Sequence, residues 1–311
     1  MRLDSFARRV FLKDGRLRPV LRSVIYIIAT LFCAGLLLAM LAGLTGIGFT
    51  SGSASQPSYL RLLVSELALC AAAVGVAVVL RRYLDRRSVA SLGLLARGSW
   101  LRLLILGIVL GAGMQCFVFA LNEVFGYSHV TAVAGFRSDF SELVKYVPLF
   151  ALVAIAEEFS MRGYLFQNLW EEWGPVAAVV LTSALFAFAH LGNPNSHSQV
   201  ALTIAGLLAY AAWACLCILW TKSLWCVVGV HFAWNLFEGP VLGFPVSGLG
   251  FDTTAIRQTI AGPAWFTGGT FGPESGACAL VALGAGLALL YLLHRGGAFA
   301  GAYDAREDYA R

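Results

Sequence analysis

Charge is what this chain has least of. Asp, Glu, Lys and Arg make up 13% of its 311 residues, about half of the roughly 25% usual in a soluble globular domain. With 59% hydrophobic residues and a mean hydropathy of +0.76, the chain is an integral membrane protein rather than a soluble one. Short connections leave no room for a large soluble unit, so one membrane domain is expected. Two motifs are missing as well. No CxxC pair occurs, and the seven cysteines (Cys33, Cys70, Cys116, Cys215, Cys217, Cys226, Cys278) all lie in apolar runs, as reduced core or lipid-facing residues do. No HExxH occurs, which removes the commonest zinc-protease signature. Neither an inverted nor a parallel repeat relates the two halves, and that counts against a transporter. The net charge of +5 does not point to nucleic acid, because the basic residues sit mostly at the ends of apolar runs on one side.

What is present is a series of apolar runs. Roughly 20 apolar residues at 1.5 Å each cross about 30 Å of hydrocarbon. Such runs occur at 23–44, 59–80, 103–122, 146–169, 175–192, 199–221 and 276–294, and a shorter one at 223–238 makes eight. The first follows a basic tail and is longer than a signal-peptide core, so a retained helix is favoured over cleavage near Ser53-Ala54-Ser55. Arg and Lys near the run ends set the orientation. With the amino terminus inside, seventeen fall on the inner side. They are Arg2, Arg8, Arg9, Lys13, Arg16, Arg18, Arg22, Arg81, Arg82, Arg86, Arg87, Arg97, Arg102, Lys222, Arg295, Arg306 and Arg311. Only Arg61, Arg137, Lys145 and Arg257 fall outside. Trp100, Trp170, Trp173, Trp220 and Trp225 mark the inner boundary. An even number of spans places both termini in the cytoplasm.

One run is not bare. Glu157, Glu158 and Arg162 stand within six positions of the fourth run, where each charge costs about 2.5–3.5 kcal/mol on insertion scales. On a helix Glu158 and Arg162 share a face and can neutralise each other. Glu157, turned about 100° away, is less well placed to pair and suits a general acid or base. A salt-bridged cluster that locks helices together is the competing account. The fifth run adds Phe186 to His190, and the seventh adds His231 and Asn235, four apart on one face. Paired donors could hold a carbonyl and the oxyanion it becomes; interhelical hydrogen bonding is the alternative. Convergence favours chemistry, since these positions cluster in three runs while most others are nearly bare. Glu66 is read as structural and Glu123 as interfacial, and His129, His197 and His294 need no functional account.

These residues carry a resemblance. Glu157-Glu158-Phe159-Ser160-Met161-Arg162 resembles the EExxxR motif of the CPBP family, the CAAX proteases and bacteriocin-processing enzymes also called the Abi family. Phe186 to His190 resembles its FxxxH motif and His231 to Asn235 its HxxxN motif, in the same order. The resemblance covers about 146–238. It implies an all-α polytopic membrane protein with about eight transmembrane helices and a CPBP-like four-helix catalytic core. The expected organisation is a basic cytoplasmic tail (1–22), amino-terminal transmembrane helices (23–145), the CPBP/Abi catalytic core (146–238), an extramembrane loop (239–275), and a last transmembrane helix with the carboxyl-terminal tail (276–311).

The implied activity is that of an intramembrane endopeptidase acting on a membrane-associated protein or peptide. Glu157 would activate water with help from His190. His231 and Asn235 would stabilise the oxyanion, and Glu158 and Arg162 would position the helix and the catalytic acid. No cofactor is favoured. A zinc ion on Glu157, His190 and His231 is the alternative, weakened by asparagine in the fourth position. The implied partners are that substrate and the lipid bilayer, with no nucleic acid, and the implied location is a bacterial plasma membrane. A non-catalytic scaffold or immunity protein of the same fold, or a proton-coupled transporter, are the competing functions. One tension stands: the orientation puts the site in the outer half of the membrane, whereas CAAX-type enzymes are expected to work from the cytoplasmic side.

Overall fold

The structure is a computed structural model that describes residues 10–46, 58–94, 99–133, 140–251 and 253–299. Ser53-Ala54-Ser55, Arg2, Arg8, Arg9, Arg97, Arg137, Arg306 and Arg311 lie outside the described residues. Nine helices carry the fold among them: α1 (Pro19–Thr45), α2 (Tyr59–Val79), α3 (Trp100–Val124), α4 (Tyr146–Glu158), α5 (Phe166–Trp173), α6 (Pro175–Ala189), α7 (Val200–Thr221), α8 (Leu224–Leu236) and α9 (Ala277–Arg295). Proline at the first turn starts α1 and α6, where its missing N–H costs nothing, and Gly46 in the left-handed conformation ends α1. Six of the nine, α1, α2, α3, α6, α7 and α9, are long and apolar enough to cross a membrane. The runs expected at 146–169 and 223–238 fall outside that set. The first is interrupted by Glu157, Glu158 and Arg162, and the second forms a helix of only 13 residues. The protein is therefore an all-α polytopic membrane protein, and two of its three motif-bearing helices, α4 and α8, lie outside the six long apolar ones.

A wide π turn, Phe159–Leu165, joins α4 to α5 without a break. Such turns are rare in helices and concentrate at functional sites. The short helix α8 is buried on nearly every side, from Cys226 to His231 and again from Ala233 to Asn235, as a helix apolar all round must be. It is held by backbone contact with α3. A Cβ on Gly107 would lie 2.0 Å from the Cys226 carbonyl oxygen, one on Gly111 2.4 Å from that of Val230, and one on Gly229 2.3 Å from that of Leu104. Gly107 and Gly111 form a small-xxx-small pattern, which lets two helices meet backbone to backbone in lipid.

The two ends of the bundle differ. At one end the hairpin β1 (Leu12–Lys13) and β2 (Arg16–Leu17) docks on α5, with Lys13 donating to the Glu171 carbonyl at 2.6 Å. Here each buried or partly buried acid faces guanidinium groups. Asp85 lies 3.1 Å from Arg81 and 3.9 Å from Arg22, Glu171 lies 2.9 Å from Arg87 and 3.7 Å from Arg22, and Glu172 pairs with Arg18. Tyr164 adds a hydrogen bond to Asp85 at 2.9 Å. The other end is built from loops. Strand β3 (Ser128–Val133) pairs antiparallel with β4 (Ile256–Ile260), from Ser128 opposite Ile260 to Val133 opposite Ile256. The sequence gives no element between 241 and 275. The strand forms there because its partner lies more than a hundred residues upstream.

Candidate active site

Three helices bring the motif residues together. Helix α4 ends in Glu157 and Glu158, with Arg162 one turn on in the π segment. Helix α6 ends at His190, and α8 presents His231 and Asn235. Glu158 and Arg162 are fully buried and paired at 3.2 Å. The same Glu158 oxygen, Oε1, accepts a hydrogen bond from His231 Nδ1 at 2.8 Å and a longer one from the Tyr210 hydroxyl at 3.5 Å. Glu158 therefore does more than support its own helix: it fixes the ring of His231 on α8. Phe186 ties the second motif to the first. Its carbonyl lies 2.8 Å from His190 Nδ1, and its ring sits 4.7 Å below the Arg162 guanidinium. Tyr210, on α7, faces the same cation from 5.8 Å. The Tyr26 hydroxyl on α1 meets Ser160 at 2.8 Å, which anchors the π turn to the first helix.

With both Nδ1 atoms engaged, the Nε2 atoms of His190 and His231 turn toward Glu157. Glu157 Oε2 lies 3.9 Å from each. That spacing is too long for direct hydrogen bonds, and Oε2 is buried without a partner. The Glu157 side chain is 26% exposed, against 0% for Glu158. The two adjacent acids thus have separate environments, one paired and sealed, the other open to a cavity. Asn235 is 5% exposed, and its amide has no hydrogen-bond partner among the described residues. Since His231 Nδ1 faces a carboxylate, that nitrogen carries the proton. Its Nε2 donates only when the ring is doubly protonated.

These groups open onto a cavity of about 530 Å³. Glu157, His190, His231 and Asn235 line it, with Tyr26 and Leu31 from α1, Glu66 from α2, and Ser247 and Glu274 from the loop end. No lysine or arginine lines it among the described residues. Glu66, expected to be structural, faces this cavity. Tyr210, Ser247 and Glu274 carried no signal in the sequence, because single polar residues on an apolar helix or in a glycine-rich loop look like any others. Glu123 lies outside the cavity and accepts a hydrogen bond from Ser128 at 2.5 Å.

The donor types at Glu157, His190 and His231 suit zinc, but the spacing does not. Ligands at 2.0–2.1 Å on a tetrahedron sit about 3.3 Å apart, against 3.9 Å for both carboxylate–imidazole distances. Among the described residues no group of three His, Cys, Asp or Glu is placed to hold a metal ion.

Residues 139–237 match the family model described as type II CAAX prenyl endopeptidase Rce1-like. No curated protein and no solved structure matches the chain. The match takes in α4 to α8 and every motif residue, and leaves out α1 to α3, the loop end and α9. The segment that gathers Glu157, His190, His231 and Asn235 around one cavity is thus similar to the Rce1-like CAAX endopeptidases, consistent with the CPBP/CAAX protease family.

Proposed function

We propose that the protein is an intramembrane endopeptidase that hydrolyses a peptide bond of a membrane-associated substrate through a carboxylate-activated water. The observation that carries this reading is Glu157 Oε2, buried, unbonded and 3.9 Å from two imidazole nitrogens on the wall of a cavity. A water held between this oxygen and His190 Nε2 would lose a proton to Glu157 as it attacks the scissile carbonyl. The oxyanion would form against the Nε2–H of protonated His231 and the free amide of Asn235. Glu158, with Arg162 and Tyr210 behind it, holds that imidazolium in place. The proton on Glu157 or His190 then passes to the leaving amine, whose departure regenerates the carboxylate.

The arginine-rich end faces the cytoplasm in this reading, so both termini are cytoplasmic and the loop wall of the cavity lies toward the opposite face of a bacterial plasma membrane. The reaction is read as metal-independent on the spacing of its carboxylate and imidazoles. Purified Glu157→Gln protein, with wild-type thermal stability, is expected to leave a membrane-anchored peptide uncut. Wild-type cleavage by that variant would remove the mechanism. Loss of activity on exhaustive chelation, restored by zinc, would replace it with a metal-dependent one.

A further inference from the structure

The family match ends at residue 237, yet the wall of the cavity continues beyond it. Glu274 reaches that wall from the loop end, and its position is fixed on both sides. Ser247 directs its backbone N–H and its hydroxyl to Glu274 Oε2, at 2.9 and 2.6 Å. Both donors fall on one oxygen, and Oε1 keeps no hydrogen-bond partner among the described residues. Ser247 holds this arrangement at φ +47°, where a residue with a side chain is strained and which persists only when the surroundings enforce it. The surroundings do: a Cβ on Gly248 would lie 1.8 Å from the Pro194 carbonyl oxygen, and one on Gly206 would lie 1.7 Å from the carbonyl oxygen of Glu274 itself. The loop is thus seated backbone to backbone on α7 and on the turn after His190.

Carboxyl groups outnumber basic groups on the cavity wall among the described residues. Glu66, Glu157 and Glu274 line it, its histidines are His190 and His231, and among the described residues no lysine or arginine does so. Glu274 lies within electrostatic reach of both histidines, and Glu66 within reach of Glu157 and His231. Arg162, the nearest buried cation of the motifs, is held by Glu158. A ligand is also expected on independent grounds: Asn235, only 5% exposed, lines the same cavity and has no hydrogen-bond partner among the described residues. A substrate carbonyl at Asn235 would place neighbouring side chains of the same peptide along the walls that carry Glu274 and Glu66.

We infer that Glu274, held by Ser247 and seconded by Glu66, is a specificity residue that selects peptides with a cationic side chain next to the scissile bond. The inference rests on the peptidase reading for its substrate class, and its test is separable from that reading. Fluorescent, myristoylated peptides identical except for lysine, norleucine or glutamate beside a central apolar pair serve as probes. Their binding is measured by anisotropy to detergent-solubilised Glu157→Gln protein, which needs no turnover. The lysine peptide is expected to bind about tenfold tighter than the norleucine one, as a single charge pair in a partly desolvated site supports. The glutamate peptide should bind weakest. Adding Glu274→Lys should invert the order, and Ser247→Ala should weaken the preference without inverting it. Equal binding of the three peptides, no binding of any, or an unchanged preference in folded Glu274→Lys protein would overturn the inference. Wild-type protein that shows the preference yet cuts nothing would remove the peptidase reading and leave this one standing.

Discussion

The bundle holds two clusters of ionisable groups, one at the hairpin end and one on the cavity wall, and treats them differently. At the hairpin end Asp85, Glu171 and Glu172 each meet a guanidinium, within 3.1 Å or less for the closest pairs of Asp85 and Glu171. In the cavity, among the described residues, Glu157, Glu66 and Glu274 share the wall with no lysine or arginine, and the buried Glu157 Oε2 has no hydrogen bond. Both arrangements cost desolvation. The first recovers much of it through ion pairs inside the protein, and so holds α1, α2 and α5 together, although Arg22 Nη1 and Glu172 Oε2 keep no hydrogen bond among the described residues. The second recovers it only when something else arrives. An unrecovered cost in a folded protein is a better pointer to function than a buried charge as such.

Breaking the two regions should therefore give different kinds of loss. The largest is expected from Asp85→Ala, which strands Arg81 and Arg22 in the interior. It should cost about 3–5 kcal/mol, read as a lowered melting temperature in detergent, while the molecules that remain folded cut substrate normally. Glu157→Gln should do the reverse, with hydrolysis down about 10²–10⁴-fold and the melting temperature unchanged. Asn235→Ala should lower kcat by about 10²–10³-fold, the usual loss for one oxyanion donor, with little change in KM. Gly111→Leu sharpens the comparison, because a side chain there meets the Val230 carbonyl at 2.4 Å and pushes α8 away from α3. It should lower stability and activity together. The smallest effect is expected from Glu66→Gln: stability within about 0.5 kcal/mol of wild type, or slightly above it, since an unpaired carboxylate is removed. A marked destabilisation by Glu66→Gln would place Glu66 with the first region and not the second.

What could be read from the sequence follows the range of the interactions involved. Glu158 and Arg162 are four apart, and their pairing at 3.2 Å is local. The amphipathic logic of the apolar runs is local too, and the runs and helices agree closely. The convergence of Glu157, His190 and His231 was suggested by three motifs in order, though no local pattern gives the 3.9 Å spacings. That Glu66 faces the cavity was not legible, because nothing in the sequence around it says that α2 faces α4. Glu274 was invisible for a stronger reason. Its position depends on Gly206, 68 residues away and meeting it backbone to backbone, and on Ser247, 27 residues away, whose N–H and hydroxyl donate to its carboxylate. The Gly107 and Gly111 pair could have been found, since a GxxxG pattern in an apolar run marks a close helix contact.

The π turn of Phe159–Leu165 has a consequence for the whole helix on which it lies. An uninterrupted α-helix advances about 100° per residue, so Glu157 and Glu171, fourteen residues apart, would project to within about 40° of one another. The wider turn delays that rotation by roughly one residue's worth. Glu157 can then point into the cavity while Glu171 points at Arg22 and Arg87. A single rod carries two acidic faces out of register, and deleting one residue from the turn would bring them back into phase at the expense of one partner set.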